Sequence, residues 1–276
     1  MSHLYQIGWF SSGGSQTSRD LLSAVVDSIR RDEIKAGIAF VFCSREPGES
    51  IESDAFLKLV QNYGIPLVSF SYREFKAGQD IPARDSSGKL ADWRMDYDRQ
   101  VIARLEEFEP DLCVLAGYML ITGPEMCRKF DMINLHPAAP GGPVGTWRQV
   151  IWKLIEANAR ETGVLMHLVT PELDKGPELT YGKFSIRGEP FDRYWQEIEG
   201  LSLQDIKQRD GADNPLFKLI RRYGLAREIP LILATIKIFS RGTLRVNSNK
   251  LVIDVEDYPI LAFDLTGEIE EQLKTL

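Results

Sequence analysis

The sequence predicts an α/β fold: a Rossmann-like, mostly parallel sheet with helices on both faces, completed by a C-terminal helix and β-hairpin. Three observations carry this. Short apolar runs of strand length alternate with amphipathic segments of helix length, the rhythm of parallel strands joined by crossover helices. A Gly-rich turn, Ser11-Ser12-Gly13-Gly14-Ser15, joins the first strand to the first helix. Polar groups suited to ligands fall at the carboxyl ends of strands, where such sheets bind them: this turn, residues 117–122, and Asn134 with His136.

Residues 4–10 read as the first strand. A helix is expected from about residue 17 to residue 30, with Leu21, Leu22, Val25, Val26 and Ile29 on one face. Residues 37–43 form a buried-type strand, 51–63 an amphipathic helix with Phe56, Leu59 and Val60 inward, and 66–70 a short strand. Gly, Asp, Ser and Pro crowd residues 76–89, which implies a surface loop. A helix is expected over 96–108, with Val101, Ile102 and Leu105 inward, then strands over 111–116 and 132–135. The Pro/Gly-rich stretch 137–145 cannot be helical, and a helix should follow over 146–157. Strands at 163–169 and 179–186 flank the turn that holds Asp174. Two helices, 214–223 and 226–239, and a hairpin of 244–246 with 251–255 complete the reading. With no repeat and no low-complexity linker, one domain spanning 1–276 is expected.

At 276 residues, 43% hydrophobic and 26% charged, the chain can bury a large core. A formal charge of −7 with no basic stripe argues against a nucleic-acid partner. No apolar run reaches the roughly 20 residues that span a bilayer, so no membrane partner is expected. Met1-Ser2-His3-Leu4-Tyr5 lacks the features of a signal peptide, and Cys43, Cys113 and Cys127 give no metal spacing. Buried thiols in a reducing cytoplasm are the expectation.

The chemistry concentrates in Ile133-Asn134-Leu135-His136-Pro137 and in Asp174. An amide, an imidazole and a carboxylate suit acyl transfer. The amide can donate to an oxyanion, the imidazole can shuttle a proton near neutral pH, and the carboxylate can fix the tautomer. On an extended strand Asn134 and His136 face the same side. Each group also has a plain structural reading, His136 as a hydrogen-bonded core residue and Asp174 as a turn aspartate. His167, in mid-strand among apolar residues, reads as a core or sheet-face histidine. The turn Ser12, Gly13, Gly14 and Ser15 is consistent with a phosphate site at a helix N-terminus and equally with a tight βα turn; it is not a P-loop.

Taken together these residues resemble the folate-dependent formyltransferases, whose hallmark is Asn-x-His-Pro followed by an Asp in a Leu/Ile-Asp-x-Gly turn. Asn134, His136 and Asp174 match it. Residues 108–111 through 115–119 resemble the strand that leads into the family's folate pocket. Residues 162–164 with 167–177 are similar to the branch that formylates glycinamide ribonucleotide, and the turn at 12–15 to that branch's substrate-phosphate loop. Residues 228–231 and 241–244 resemble the family's closing helix and hairpin. The resemblance covers about residues 4 to 255 and leaves 188–217 as an insertion. Leu120 stands where the family commonly has Arg, and Ala138-Ala139-Pro140-Gly141 replaces the usual Ser-Leu-Leu-Pro.

The resemblance implies the formyltransferase fold and transfer of a formyl group from 10-formyltetrahydrofolate to the amine of glycinamide ribonucleotide, in purine synthesis. Asn134, His136 and Asp174 would be catalytic. Ser12, Gly13, Gly14 and Ser15 would hold the substrate phosphate, Glu228 the ribose or amine, and Met119, Leu120 and Ile121 the pterin. No metal is implied. The partners are folate and a small phosphorylated amine, and the oligomeric state stays open, with a homodimer among the options. Other amines such as sugar nucleotides, hydrolysis of formyltetrahydrofolate, and a non-catalytic folate or nucleotide sensor are the competing readings.

Overall fold

The last five residues of the first strand, β1 (Tyr5–Ser11), are all buried, as in a strand covered on both faces. Its partner β2 (Ala36–Cys43) is buried over its last four. Between them α1 (Gln16–Arg30) starts at Ser15, whose Oγ accepts the Ser18 N–H, and buries Leu21, Leu22, Val25 and Val26. The computed structural model describes residues 3–77, 79, 82–83, 90–172, 174–247, 250–253 and 262–275.

The next elements are α2 (Ile51–Tyr63), β3 (Leu67–Ser69), α3 (Tyr72–Lys76), α4 (Asp92–Arg104), β4 (Leu112–Leu115), α5 (Pro124–Lys129) and β5 (Met132–His136). After them come α6 (Trp147–Glu156), β6 (Glu161–Leu168), β7 (Glu178–Ser185), α7 (Asp192–Glu197), α8 (Leu203–Arg209) and α9 (Pro215–Ser240). The chain closes with β8 (Leu244–Asn247), β9 (Lys250–Ile253), β10 (Phe263–Asp264) and α10 (Thr266–Thr275). One eight-stranded sheet has the order β10-β7-β6-β5-β4-β1-β2-β3, and β8 and β9 form a separate antiparallel pair. The β1–β2, β1–β4, β2–β3, β4–β5 and β7–β10 pairings are parallel, and β6–β7 is antiparallel. The mostly parallel α/β architecture is therefore as expected.

Two compact units divide the chain. The first comprises Met1–Asn134, Leu168–Pro177 and Ile236–Pro259, and the second Leu135–His167, Glu178–Thr235 and Ile260–Leu276. The first has an aromatic core in which Phe10 meets Phe40 edge-on at 5.6 Å and Phe70 stacks on Tyr97 at 5.0 Å. Cys43, Cys113 and Cys127 are all free and buried in this unit. In the second, the apolar face of α6 packs with Ile186, Phe191, Trp195, Leu216 and Phe217. Trp195 Nε1 donates to the Ile186 carbonyl at 2.6 Å, so the segment expected as an insertion contributes to this unit's own core.

Several elements differ from expectation, each for a physical reason. Helix α4 begins at Asp92 rather than 96 although Ala91 offers no side-chain cap; burial of Trp93 and Arg94 holds its first turn. The helices expected at 214–223 and 226–239 are one, α9, with Gly224 and Pro230 inside it. Residues flanking Pro230, such as Leu231 and Ile232, are fully buried, and that packing outweighs the lost hydrogen bond. Helices α3, α5 and α10 and strand β10 carry too few periodic apolar residues to be read from sequence. Of the loop expected over 76–89, residues 78, 80, 81 and 84–89 lie outside the described residues, as do Ser248 and Asn249 of the hairpin turn and the hairpin's end at 254–255. Among the described residues no helix is long and apolar enough to cross a membrane, and no group of three or more His, Cys, Asp or Glu is placed to hold a metal.

Candidate active site

Strand β5 carries two of the candidate residues. Asn134 pairs in parallel register with Leu115 of β4, and His136 ends the strand two residues later. The two side chains thus leave the strand on one face. His136 is buried, and its Nε2 lies 3.0 Å from the carbonyl oxygen of Pro143. A carbonyl only accepts, so Nε2 carries the hydrogen in that bond. The Pro/Gly-rich loop after β5 thereby curls back to hold the ring. His167 meets His136 edge-on with ring centroids 6.1 Å apart, and it is buried on β6.

Asp174 belongs to the first unit, with Asn134, whereas His136 belongs to the second. It is half-buried at φ 52°, a left-handed conformation that Asp and Asn tolerate better than most residues. Its segment is anchored at both ends. Val169 N–H donates to the Met132 carbonyl at 2.8 Å, two residues before Asn134, and Leu168 N–H donates to Pro177 at 2.8 Å. Gly176 closes the segment against Leu168: a Cβ there would stand 2.7 Å from the Leu168 carbonyl carbon and nearer still to its oxygen.

The turn after β1 is more committed internally than its sequence suggests. Ser11, Ser12 and Gly13 are buried, while Gly14 and Ser15 are exposed at the start of α1. Gly13 takes φ 58°, and its N–H donates to Ser11 Oγ at 3.1 Å. Ser12 N–H donates to the Gly117 carbonyl at 3.0 Å, and Ser12 Oγ accepts the Met119 N–H at 3.1 Å while lying 2.9 Å from Ser44 Oγ. Ser15 Oγ caps α1. The part left open to an anion is Gly14, where a Cβ would meet nothing within 4 Å, at the positive end of a 15-residue helix.

Ser12 therefore joins this turn to the segment expected to line a pterin slot. There Met119 is 62% exposed. Leu120 packs against the aromatic core and Ile121 is half-buried. Glu228, expected at the acceptor, is buried on α9 with its Oε1 2.7 Å from Arg221 Nη1. Burial raises its carboxyl above the usual range, and Arg221 opposes the rise. Arg221 also lies over the Trp147 ring at 4.6 Å. Substituting Arg221→Met leaves Glu228 without that counter-ion and is expected to cost about 3–5 kcal/mol, read as a lower denaturant midpoint.

Residues 13–189 match the family profile described as Formyl transferase. The chain belongs to that family. The phosphoribosylglycinamide formyltransferase of Escherichia coli (strain K12) is 28% identical to it over 172 residues, 60% of this chain and 68% of that one. In fold it resembles the phosphoribosylglycinamide formyltransferase of Coxiella burnetii, with TM-score 0.65 at 19% identity over 95% of this chain and 99% of that one. A formyltetrahydrofolate deformylase of Pseudomonas syringae pv. tomato has TM-score 0.57 at 18% identity over 91% and 66%. The expectation of a folate-dependent formyltransferase is borne out at the level of family, enzyme class and fold.

Sequence reasoning missed two groups in this formyltransferase. Ser44, at the end of β2, is buried against Ser12. Arg94 and Asp98, on α4, form a buried pair behind residues 119–121. The only sequence signal for the pair is an i, i+4 spacing of opposite charges, which most surface helices also show. For Ser44 there is none.

Proposed function

We propose that this formyltransferase moves the formyl group of 10-formyltetrahydrofolate to the amine of glycinamide ribonucleotide. The observation that carries the reading is Asn134 and His136 at the carboxyl end of β5, in a chain 28% identical over 172 residues to a protein of that name. The acceptor amine attacks the formyl carbon and a new C–N bond forms. The formyl oxygen becomes an oxyanion, which Asn134 and protonated His136, its Nε2 released from the Pro143 carbonyl, stabilise; one such donor contributes about 3 kcal/mol in comparable sites. Collapse breaks the bond to N10, and the amine proton passes to that nitrogen through His136, directly or over water. In this reading Asp174 orients the imidazole.

The acceptor phosphate would sit at Ser12–Ser15, chiefly at Gly14 and the α1 N-terminus, and the pterin against Met119, Leu120 and Ile121. Glu228 would have to release Arg221 to meet the ribose or amine, and the reading does not depend on that contact. The reaction needs no metal and no covalent nucleophile, and both partners are small molecules of the cytoplasm.

The test is release of tetrahydrofolate from 10-formyltetrahydrofolate with and without glycinamide ribonucleotide. Release only with the ribonucleotide supports reaction and acceptor together. Release without it identifies a hydrolase, and release with neither sends the search to other amines. Asp174→Asn removes the charge yet keeps a residue that tolerates φ 52°. It is expected to lower kcat by about a hundredfold or more with an unchanged unfolding midpoint. Near-normal turnover removes Asp174 from the mechanism.

A further inference from the structure

Residues 117–123, between β4 and α5, carry the three side chains assigned to the pterin, and the transfer chemistry leaves a buried ion pair behind them unused. Arg94 and Asp98 lie one turn apart on α4, each side chain 1% exposed. Arg94 Nη1 donates to Asp98 Oδ1 at 2.6 Å, and Arg94 Nη2 donates to the main-chain carbonyl of Ile121. Asp98 Oδ2 accepts the main-chain N–H of Gly123 at 2.6 Å. One charged group of each sign thus holds one end of the Ile121-Thr122-Gly123 stretch.

The approach is close by construction. A Cβ on Gly123 would stand 2.8 Å from Asp98 Oδ2, so a larger residue would push the carboxylate away. The Arg94 guanidinium is further confined over Tyr72 and Tyr97, at 5.7 and 5.3 Å from their ring centroids. Stability is a poor reason for such a pair. Desolvation opposes both charges, and apolar residues of similar volume often serve a core equally well. What apolar residues cannot do is fix a main-chain carbonyl and a main-chain N–H two residues apart. The fixed stretch includes Ile121 and directly follows Met119 and Leu120.

We propose that Arg94 and Asp98 are positioning residues for the formyl donor: they hold the main chain at Ile121 and Gly123, and so keep Met119–Ile121 in the geometry that receives the pterin. This rests on the formyl-folate reading above. The pair touches no reacting atom, so its loss should weaken binding of the donor selectively. The acceptor turn at Ser11–Ser15 hangs from β1 and α1 and meets this segment through Ser12, at Gly117 and Met119, ahead of the stretch that the pair holds.

Two variants separate positioning from folding. Arg94→Met alone strands a buried carboxylate and risks the fold, so it is paired with Asp98→Leu, which removes both charges together. Arg94→Lys keeps the charge and one donor direction but loses the fork. For the double variant, KM for 10-formyltetrahydrofolate should rise about tenfold or more, with KM for glycinamide ribonucleotide and kcat at saturating donor each within about threefold of wild type. Arg94→Lys should fall between. In the ligand-free protein, amide exchange at 117–123 should quicken in the double variant while that of α1 stays as in wild type.

A folded double variant with wild-type donor KM and wild-type exchange at 117–123 overturns the proposal. So does a loss shared equally by donor, acceptor and kcat, which marks a general structural role. If wild-type protein fails to bind 10-formyltetrahydrofolate, the function reading falls by itself. Exchange then decides whether the pair holds the segment at all.

Discussion

Replacing His136 with alanine is expected to lower kcat by about two to four orders of magnitude, the usual range for losing a general acid–base group. The ring stands at the end of β5 on the same strand face as Asn134, and an imidazole can both donate to an oxyanion and carry a proton near neutral pH. The structural cost should be small beside this. Among the bonds lost is that to the Pro143 carbonyl, and an orphaned acceptor costs about 1–3 kcal/mol. Steady-state kinetics and a urea titration on the same preparation separate the two effects. A variant that loses stability but keeps turnover would assign His136 to holding the 137–145 loop.

The second large effect is expected at Gly176, where alanine forces backbone to move. The Cβ would enter the Leu168 carbonyl, which has no flexible end to swing aside. A loss of about 3 kcal/mol or more follows, about 6–12 °C in Tm for a chain of this size. Because Leu168 and Gly176 close the segment that presents Asp174, activity should fall even where the variant remains folded. Gly224→Ala is the control. No atom beyond its chain neighbours and its own helix backbone lies within 4 Å of the added Cβ, it sits inside α9, and it should stabilise by about 0.5–1 kcal/mol. Equal stability for the two variants would mean that the Asp174 segment adapts freely.

Much of the fold could be read in advance because its signals are local. The strands around Trp9, Phe42 and Val114 are apolar runs, and α1 and α6 open on Ser15 and Thr146, both working caps. Readings failed where distant packing overruled a local cue. Pro230 looked like a break and is carried through by the burial of its neighbours, and α4 starts four residues early because Trp93 and Arg94 have somewhere to go. The same division runs through the site. Asn134, His136 and Asp174 stand out by residue type and spacing. Ser12 shows only in three dimensions that its hydroxyl is turned inward to Met119 and Ser44, and Arg94 that its guanidinium reaches Ile121.

The cysteines add a practical consequence. Burial pushes the Cys43 thiol up to about 11 and Cys113 well above its ordinary value, so neither offers a thiolate to an alkylating reagent while the first unit is closed. All three thiols lie in that unit and none in the second. Pulsed thiol alkylation followed by mass spectrometry therefore counts the opening events of one half of the chain against a silent background from the other. It needs no engineered label and no bound ligand.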